Sequence, residues 1–173
     1  MKSNLVIIFN FIFRNIPIHI INMITALLPN HLVINRLRGF LIRPFLGSSG
    51  KRLQVGRGVI INSPENLFIG DDCYISHYCY IQAKGKVTLK DNVIIGPMSV
   101  VASSNHAKNN DIVLNKGENK PIVIGKGTWC GGNVVIIAGV NIGKSVIVGA
   151  GAVVSKNVNN YMTVGGVPAK QIK

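Results

Sequence analysis

Acidic residues are scarce in this chain of 173 residues, which has 6 Asp and Glu against 19 Lys and Arg. No acidic residue precedes Glu65, whereas the cations before it are Lys2, Arg14, Arg36, Arg38, Arg43, Lys51, Arg52 and Arg57. A formal charge of +13 suggests nucleic acid as a first interpretation. Aromatic residues make up only 6% of the chain, however, and the early cations lie among apolar residues. We therefore expect no nucleic-acid partner.

Long uninterrupted apolar runs are also missing. The most apolar stretch, residues 5–28, is interrupted by Asn10, Arg14, Asn15, Pro17, His19 and Asn22. No run approaches the roughly 18 residues of a spanning helix, and no small-residue cleavage site follows the apolar start. We expect residues 1–50 to form a helical, apolar and basic extension. Two compatible interpretations remain for residues 1–46: peripheral contact with an anionic membrane surface, or packing as a cap on the main domain.

Cysteine is rare as well, and Cys73, Cys79 and Cys130 form no CxxC pair. This spacing indicates neither a zinc site nor a disulfide framework. We expect three small core residues in a reducing compartment, and hence a cytoplasmic protein, peripheral at the inner face of the cytoplasmic membrane if residues 1–46 bind it.

A period of six residues is the dominant feature from about residue 55 onward. Near the end of the chain it places aliphatic or small residues at Ile124, Cys130, Ile136, Ile142, Val148 and Val154. Four places after each comes a second small or aliphatic residue, from Thr128 to Val158. A six-residue unit can supply a short strand and a corner, and three units make a coil of about 18 residues. The sequence therefore predicts an all-β solenoid over residues 51–158, followed by a short tail over residues 159–173.

The frame breaks between Val101 and Ile124, which predicts a protruding loop near residues 103–121. The loop is polar and contains His106. An imidazole titrates near neutral pH and can act as a general base, and loops on rigid scaffolds commonly carry such groups.

Residues 124–173 resemble the hexapeptide-repeat acyltransferases, and the nearest resemblance is to galactoside, maltose and polysaccharide O-acetyltransferases. The resemblance implies a left-handed parallel β-helix that assembles as a homotrimer. It also implies acetyl-CoA-dependent transfer to a sugar hydroxyl in cell-surface polysaccharide biosynthesis, with His106 as catalytic base. Asp111, Asn105 or a backbone carbonyl could orient that base.

The resemblance also implies where the donor and acceptor bind. Gly132 and Ala150 lie 18 residues apart and would let the pantetheine arm approach the backbone. The other implied donor residues are Trp129, Lys156, Pro168 and Lys170. For a sugar or lipid-linked saccharide the candidate contacts are Ser76, His77, Tyr78 and Asn105, although the Asn that some relatives present before the loop is absent.

Three alternatives stay open at this point. The acceptor could instead be a small soluble molecule, such as a free glycoside, serine or an antibiotic. The solenoid could also be a non-catalytic binding or assembly module. A zinc site with three His ligands is the third, but only His77 and His106 lie within the repeats, so we expect no metal.

Overall fold

The computed structural model describes residues 4–172. Residues 1–3 of the predicted extension and Lys173 of the predicted tail lie outside the described residues. The helical elements are α1 Asn4–Asn10, a π-helical segment Phe11–Asn15, α2 Ile16–Thr25, α3 Leu32–Ile42 and short 3-10 turns at Arg43–Phe45 and Pro64–Asn66. The strands are β1 Ser48–Ser49, β2 Gln54–Val55, β3 Ile60–Asn62, β4 Leu67–Ile69, β5 Tyr74–Ile75, β6 Tyr80–Gln82, β7 Val87–Leu89, β8 Ile94–Ile95, β9 Val100–Ala102, β10 Ser104–Asn109, β11 Ile112–Asn119, β12 Ile122–Ile124, β13 Trp129–Cys130, β14 Val135–Ile136, β15 Asn141–Ile142, β16 Ile147–Val148, β17 Val153–Val154, β18 Thr163–Gly165 and β19 Lys170–Gln171.

The strands form a parallel β-helix with three faces, as the six-residue period predicts. The first face runs β1-β4-β7-β12-β15, the second β2-β5-β8-β13-β16-β18, and the third β3-β6-β9-β14-β17. Each face sends one column of aliphatic residues inward. On the second face that column is Val55, Ile75, Ile95, Cys130, Val148 and Val164, each at most 4% exposed.

Buried hydroxyl groups tie neighbouring coils together at the inner corners. Thr128 donates to the Gly143 carbonyl and accepts from the Val146 amide, so one side chain satisfies two backbone groups of the next coil. Ser99 makes the same pair of contacts with Gly131 and Val134. These small polar residues fit an apolar core because their hydrogen bonds are made inside it.

The parallel ladder extends beyond the predicted range at both ends. Ser48 and Ser49 already pair with the first face, and β18 pairs with β16 at the far end. After β18 the chain reverses, and β19 pairs antiparallel with it. The Ala169 amide then donates to the Val153 carbonyl, which holds the last turn against the final coil.

The helices form a layer against the β-helix. Residues 4–25 make one helix which, by length and composition, could cross a membrane, although the polar interruptions in its sequence predicted otherwise. Arg14 donates to the carbonyls of Phe45 and Leu46, and Asn22 donates to the Val59 carbonyl. The interrupting polar residues therefore hold the second half of the helix against the domain.

Helix α3 lies against β2 through its buried side, Asn35, Arg38, Gly39 and Ile42. A Cβ built on Gly39 would lie 2.1 Å from the Leu53 carbonyl oxygen, so only glycine permits this approach. His31 caps the start of the helix by accepting from the Val33 amide.

The predicted loop is an antiparallel β-hairpin formed by β10 and β11. The Lys120 amide donates to the Ser103 carbonyl at 3.0 Å, so the hairpin leaves and rejoins the β-helix at one point. None of its residues is fully buried. The hairpin is therefore an appendage that carries polar groups away from the core.

Candidate active site

His106 lies on the first strand of the hairpin, opposite Gly117. Its Nδ1 is 3.0 Å from the Leu114 carbonyl oxygen on the second strand. A carbonyl can only accept, so this contact requires the proton on Nδ1, and in the neutral imidazole the lone pair is then on Nε2. The exposed imidazole is thus oriented by the hairpin itself, with Nε2 available to take a proton.

A cleft of about 740 Å³ adjoins the hairpin and is called here the hairpin cleft. Its walls come from the N-terminal helix and from the coils before the hairpin: Ile7, Asn10, Phe11, Asn15, Asn62, Ser63, Glu65, Asn66, Lys84 and Asn119. Amide groups dominate this lining, together with one carboxyl and one ammonium group. Such groups donate to and accept from hydroxyls in the way a saccharide requires.

Two residues of the cleft lining lie at or near the hairpin. Asn119 lies at the end of β11 and pairs with Ser104 at the base of the hairpin. A Cβ built on Gly117 would lie 3.6 Å from the Lys84 Nζ, so this ammonium lies beside the strand position opposite His106. Lys84 and Asn119 thus place one wall of the cleft near the hairpin, while His106 itself is not part of the lining.

The predicted donor residues occupy neighbouring coils after the hairpin. The Gly151 amide donates to the Gly132 carbonyl, which places Gly132 directly above the Ala150–Gly151 corner. Gly132 is half-buried and Ala150 is exposed, so both present backbone at the surface. Gly132 and Ala150 therefore lie on adjacent coils, and their role in donor binding stays a prediction.

The other predicted donor residues are exposed. The Trp129 side chain is 50% exposed on β13 and stands in register between Ile94 and Ile147. The remaining residues follow the final coils and are also exposed: Lys156, Pro168 and Lys170.

The predicted acceptor residues lie apart from the lining of the hairpin cleft. Ser76 is only 3% exposed, and its hydroxyl contacts the Tyr74 hydroxyl and the His77 ring. Tyr78 is exposed at the next corner with a positive φ. Asn105 is exposed on the hairpin opposite Glu118. These four contacts remain predictions.

Comparison with known proteins identifies the family. No family model matches the chain. Galactoside O-acetyltransferase of Escherichia coli is 32% identical over 138 residues, which cover 79% of this chain and 68% of that protein. WbbJ of the same organism, which carries the name of a lipopolysaccharide biosynthesis O-acetyltransferase, is 31% identical over 140 residues, covering 75% and 68%. The chain belongs to the hexapeptide-repeat acetyltransferases.

A solved structure places this acetyltransferase in the same fold. A hexapeptide-repeat acetyltransferase from Vibrio cholerae, crystallised with acetyl coenzyme A, superposes with a TM-score of 0.78 at 25% identity. The match covers 92% of this chain and 85% of that one. The matched residues must include helices as well as strands, because the β-helix alone makes up less than 92% of the chain.

The three cysteines of this acetyltransferase are buried and lie on inward positions. Burial raises the pKa of Cys73 and Cys79 to about 11 and that of Cys130 to about 12. Thiols with such pKa values carry almost no thiolate at neutral pH and are poor nucleophiles. An acyl-cysteine intermediate is therefore disfavoured. Within residues 4–172, no three His, Cys, Asp or Glu side chains converge as metal ligands would.

Sequence reasoning missed the hairpin cleft. Asn62 and Lys84 lie in two coils and Asn119 lies on the hairpin, and each is an ordinary polar residue. The nearest signal is the frequency of Asn within the frame break itself, where Asn119 lies. The Leu114 carbonyl that orients His106 was missed because any residue supplies a carbonyl.

Proposed function

We propose that this acetyltransferase transfers an acetyl group from acetyl-CoA to a hydroxyl group of a saccharide in cell-surface polysaccharide biosynthesis. The observation that carries the proposal is the His106 imidazole, whose Nδ1–H donates to the Leu114 carbonyl on the hairpin that also supplies Asn119 to the amide-lined cleft. The names of the relatives support the choice of acceptor, because they include a galactoside acetyltransferase and a lipopolysaccharide biosynthesis acetyltransferase.

The proposed reaction is a direct transfer in a ternary complex. His106 Nε2 accepts the proton of the acceptor hydroxyl as the hydroxyl oxygen attacks the thioester carbonyl carbon. The carbonyl oxygen gains negative charge, which a backbone N–H near Gly132 stabilises. The tetrahedral intermediate then collapses, the C–S bond breaks, and His106 returns the proton to the departing CoA thiolate. The hydrogen bond to Leu114 keeps the imidazole in one tautomer throughout.

The donor would lie along the outside of the coils after the hairpin. Gly132 and Ala150 allow close approach of the pantetheine arm to backbone groups one coil apart. Lys156 and Lys170 are exposed cations that would meet the pyrophosphate or the 3′-phosphate, and the exposed Pro168 would lie beside the adenine end. In the proposed trimer, Trp129 of one subunit walls the pocket that faces the hairpin of the next.

We assign the hairpin cleft to the acceptor. Its volume of about 740 Å³ matches the roughly 300–1,000 Å³ of small-molecule sites, which leaves room for more than one sugar ring. Asn62, Lys84 and Asn119 supply donors and acceptors for ring hydroxyls, while Phe11 offers an apolar surface to one sugar face. Because the donor is acetyl-CoA and the cysteines are free, we propose that the reaction takes place in the cytoplasm.

The test replaces the base and leaves the donor site intact. His106→Ala should lower kcat with labelled acetyl-CoA by about a hundredfold or more, because a general base typically contributes that much. Binding of acetyl-CoA, measured by calorimetry, should be unchanged. His19→Ala is the matched control, since His19 is an exposed histidine outside both proposed sites. An unimpaired rate in His106→Ala would refute the role of His106.

The acceptor is found by a screen with labelled acetyl-CoA that compares free glycosides, serine and lipid-linked saccharides. With the best acceptor, Asn62→Ala and Asn119→Ala should raise the acceptor KM while the KM for acetyl-CoA stays constant. Equal acceptor KM values in variant and wild-type proteins would show that the acceptor does not bind in the hairpin cleft.

A further inference from the structure

Exposed apolar side chains are concentrated in the first ten residues that the structure describes. In residues 4–13 they point to every side of the helix, and each is at least 42% exposed: Leu5, Val6, Ile7, Ile8, Phe9, Phe11, Ile12 and Phe13. A helix that is apolar all round is normally covered by protein or by lipid. One side of this segment, with Ile7, Asn10 and Phe11, faces the hairpin cleft, and the rest of its apolar surface is in the open.

The second half of the same helix has two different sides. Its inner side is fixed to the β-helix by Arg14, Asn22 and the buried Ile18. Its outer side carries four exposed apolar residues at positions close to helical spacing: Ile16, Ile20, Met23 and Ile24. Arg14 and Asn22 therefore bind this half of the helix to the β-helix, whereas these four apolar residues face away from it.

Helix α3 continues this surface. Val33, Leu37 and Phe40 follow helical spacing and are 63%, 41% and 65% exposed. Phe40 and Ile21 line one groove of about 750 Å³ between the two helices. The groove joins the exposed apolar sides of both helices into one surface, which we call the helical layer surface.

Charge identifies what covers this surface. The sequence has no carboxylate before Glu65, so nothing acidic belongs to the helices. Arg36 lies beside Leu37 on the exposed side of α3, and Arg43 lines the groove. Arg36 also lies within electrostatic reach of Asp72 on the β-helix, and Asp72 is paired with Arg52. Arginines next to exposed aliphatic and aromatic residues, on helices that carry no carboxylate of their own, are complementary to an anionic lipid headgroup layer.

We propose that the helical layer surface binds an anionic bilayer and that residues 4–13 insert into one leaflet only, through the side of the helix that faces away from the hairpin cleft. The ten residues before Arg14 rise about 15 Å, half of the roughly 30 Å hydrocarbon core. A spanning helix would need to take Arg14 and Asn22 into the membrane and break their hydrogen bonds to the domain. The insertion is therefore an anchor in one leaflet.

The anchor has a consequence for the acceptor, and this part rests on the proposed function. Ile7 and Phe11 belong to the inserting segment and also line the hairpin cleft. The cleft would then open at the membrane surface, within reach of a saccharide carried on a lipid. The membrane surface itself does not depend on the acetyl transfer.

The experiment is flotation of the full chain with sealed vesicles, either neutral or containing about a third anionic phosphatidylglycerol. The wild-type protein should float with the anionic vesicles and at least tenfold less with neutral ones. Phe9→Ser with Phe13→Ser removes two exposed rings outside the hairpin cleft and should lower binding at least tenfold. Met98→Ser, at an exposed apolar residue on a β-helix corner, is its control and should bind as wild type.

The electrostatic arm replaces Arg36 and Arg43 with Gln. Each cation at a membrane surface contributes about fivefold to binding, so the pair should lower it by roughly tenfold or more. Lys90→Gln with Lys126→Gln removes the same charge from exposed positions on the β-helix and should have a small effect. Turnover of a water-soluble acceptor should be equal in all four variants, which separates failure of the anchor from failure of the acetyl transfer.

Three outcomes would overturn the proposal. The wild-type protein could remain unbound with every vesicle. The Phe9 and Phe13 changes could dissociate an oligomer without affecting flotation, which would assign the surface to a second copy of the chain. Resistance of the bound protein to extraction at pH 11 in high salt would favour a spanning helix over an anchor in one leaflet.

Discussion

Arg38 is a cation buried without an acidic partner. It is 1% exposed, and its guanidinium donates to five oxygens: Thr25 Oγ1 at 3.1 Å, the Thr25 carbonyl at 2.8 Å, the Leu28 carbonyl at 3.2 Å, Asn30 Oδ1 at 3.4 Å and Asn35 Oδ1 at 3.0 Å. Neutral oxygens replace the water that the cation loses. Burial still lowers the pKa of Arg38, because desolvation disfavours the charged form.

Removing this guanidinium should weaken the turn between α2 and α3. Arg38→Met keeps an unbranched side chain but leaves buried carbonyls without donors, so we expect a loss of about 3 kcal/mol in the free energy of unfolding in urea. Arg36→Met, two positions earlier on the exposed side of α3, should change it by less than about 0.5 kcal/mol. Equal stability of the two variants would show that the buried hydrogen bonds contribute little.

The hairpin carries the proposed catalytic base but contributes little to the folding of the β-helix. Its residues add no buried side chain to the core, while the columns of the three faces continue past it from Val101 to Ile122. The Ser103 carbonyl and the Lys120 amide already form a hydrogen bond at its base. A short connection can therefore close the chain at this corner without moving a strand.

Replacing residues 104–119 with Asn-Gly should leave the β-helix folded and abolish acetyl transfer. A shorter loop costs slightly less closure entropy, so the melting temperature should stay within a few degrees of wild type. Circular dichroism and calorimetric binding of acetyl-CoA test the fold, and labelled acetyl-CoA tests the transfer. A variant that unfolds would mean that the hairpin supports the coils, and one that retains transfer would exclude His106 as the base.

At the scale of the whole molecule, the sequence predicts the burial of single residues. It does not predict which residues of different coils lie next to one another. The burial of Ile124, Ile136 and Val154 follows from a strict period, since each position fixes its own direction. The lining of the hairpin cleft combines residues that are far apart in the chain. It also includes residues of the N-terminal helix, whose contact with the domain through Arg14 leaves no periodic pattern in the sequence. The frame break predicted where His106 protrudes but not that a hairpin carbonyl would orient it.

The last prediction concerns assembly. Ile94, Trp129 and Ile147 form an apolar strip in register on the outside of the second face, and each is at least 40% exposed. Contiguous exposed apolar residues commonly mark an interface, and in the proposed trimer this strip meets the neighbouring subunit beside its hairpin.

Ile147→Arg should therefore weaken association at least tenfold in analytical ultracentrifugation and lower transfer in parallel, because the donor site is shared. Thr88→Arg places the same charge on the first face and should leave the trimer intact. A wild-type chain that sediments as a monomer at micromolar concentration, yet transfers acetyl groups, would contradict a site built between subunits.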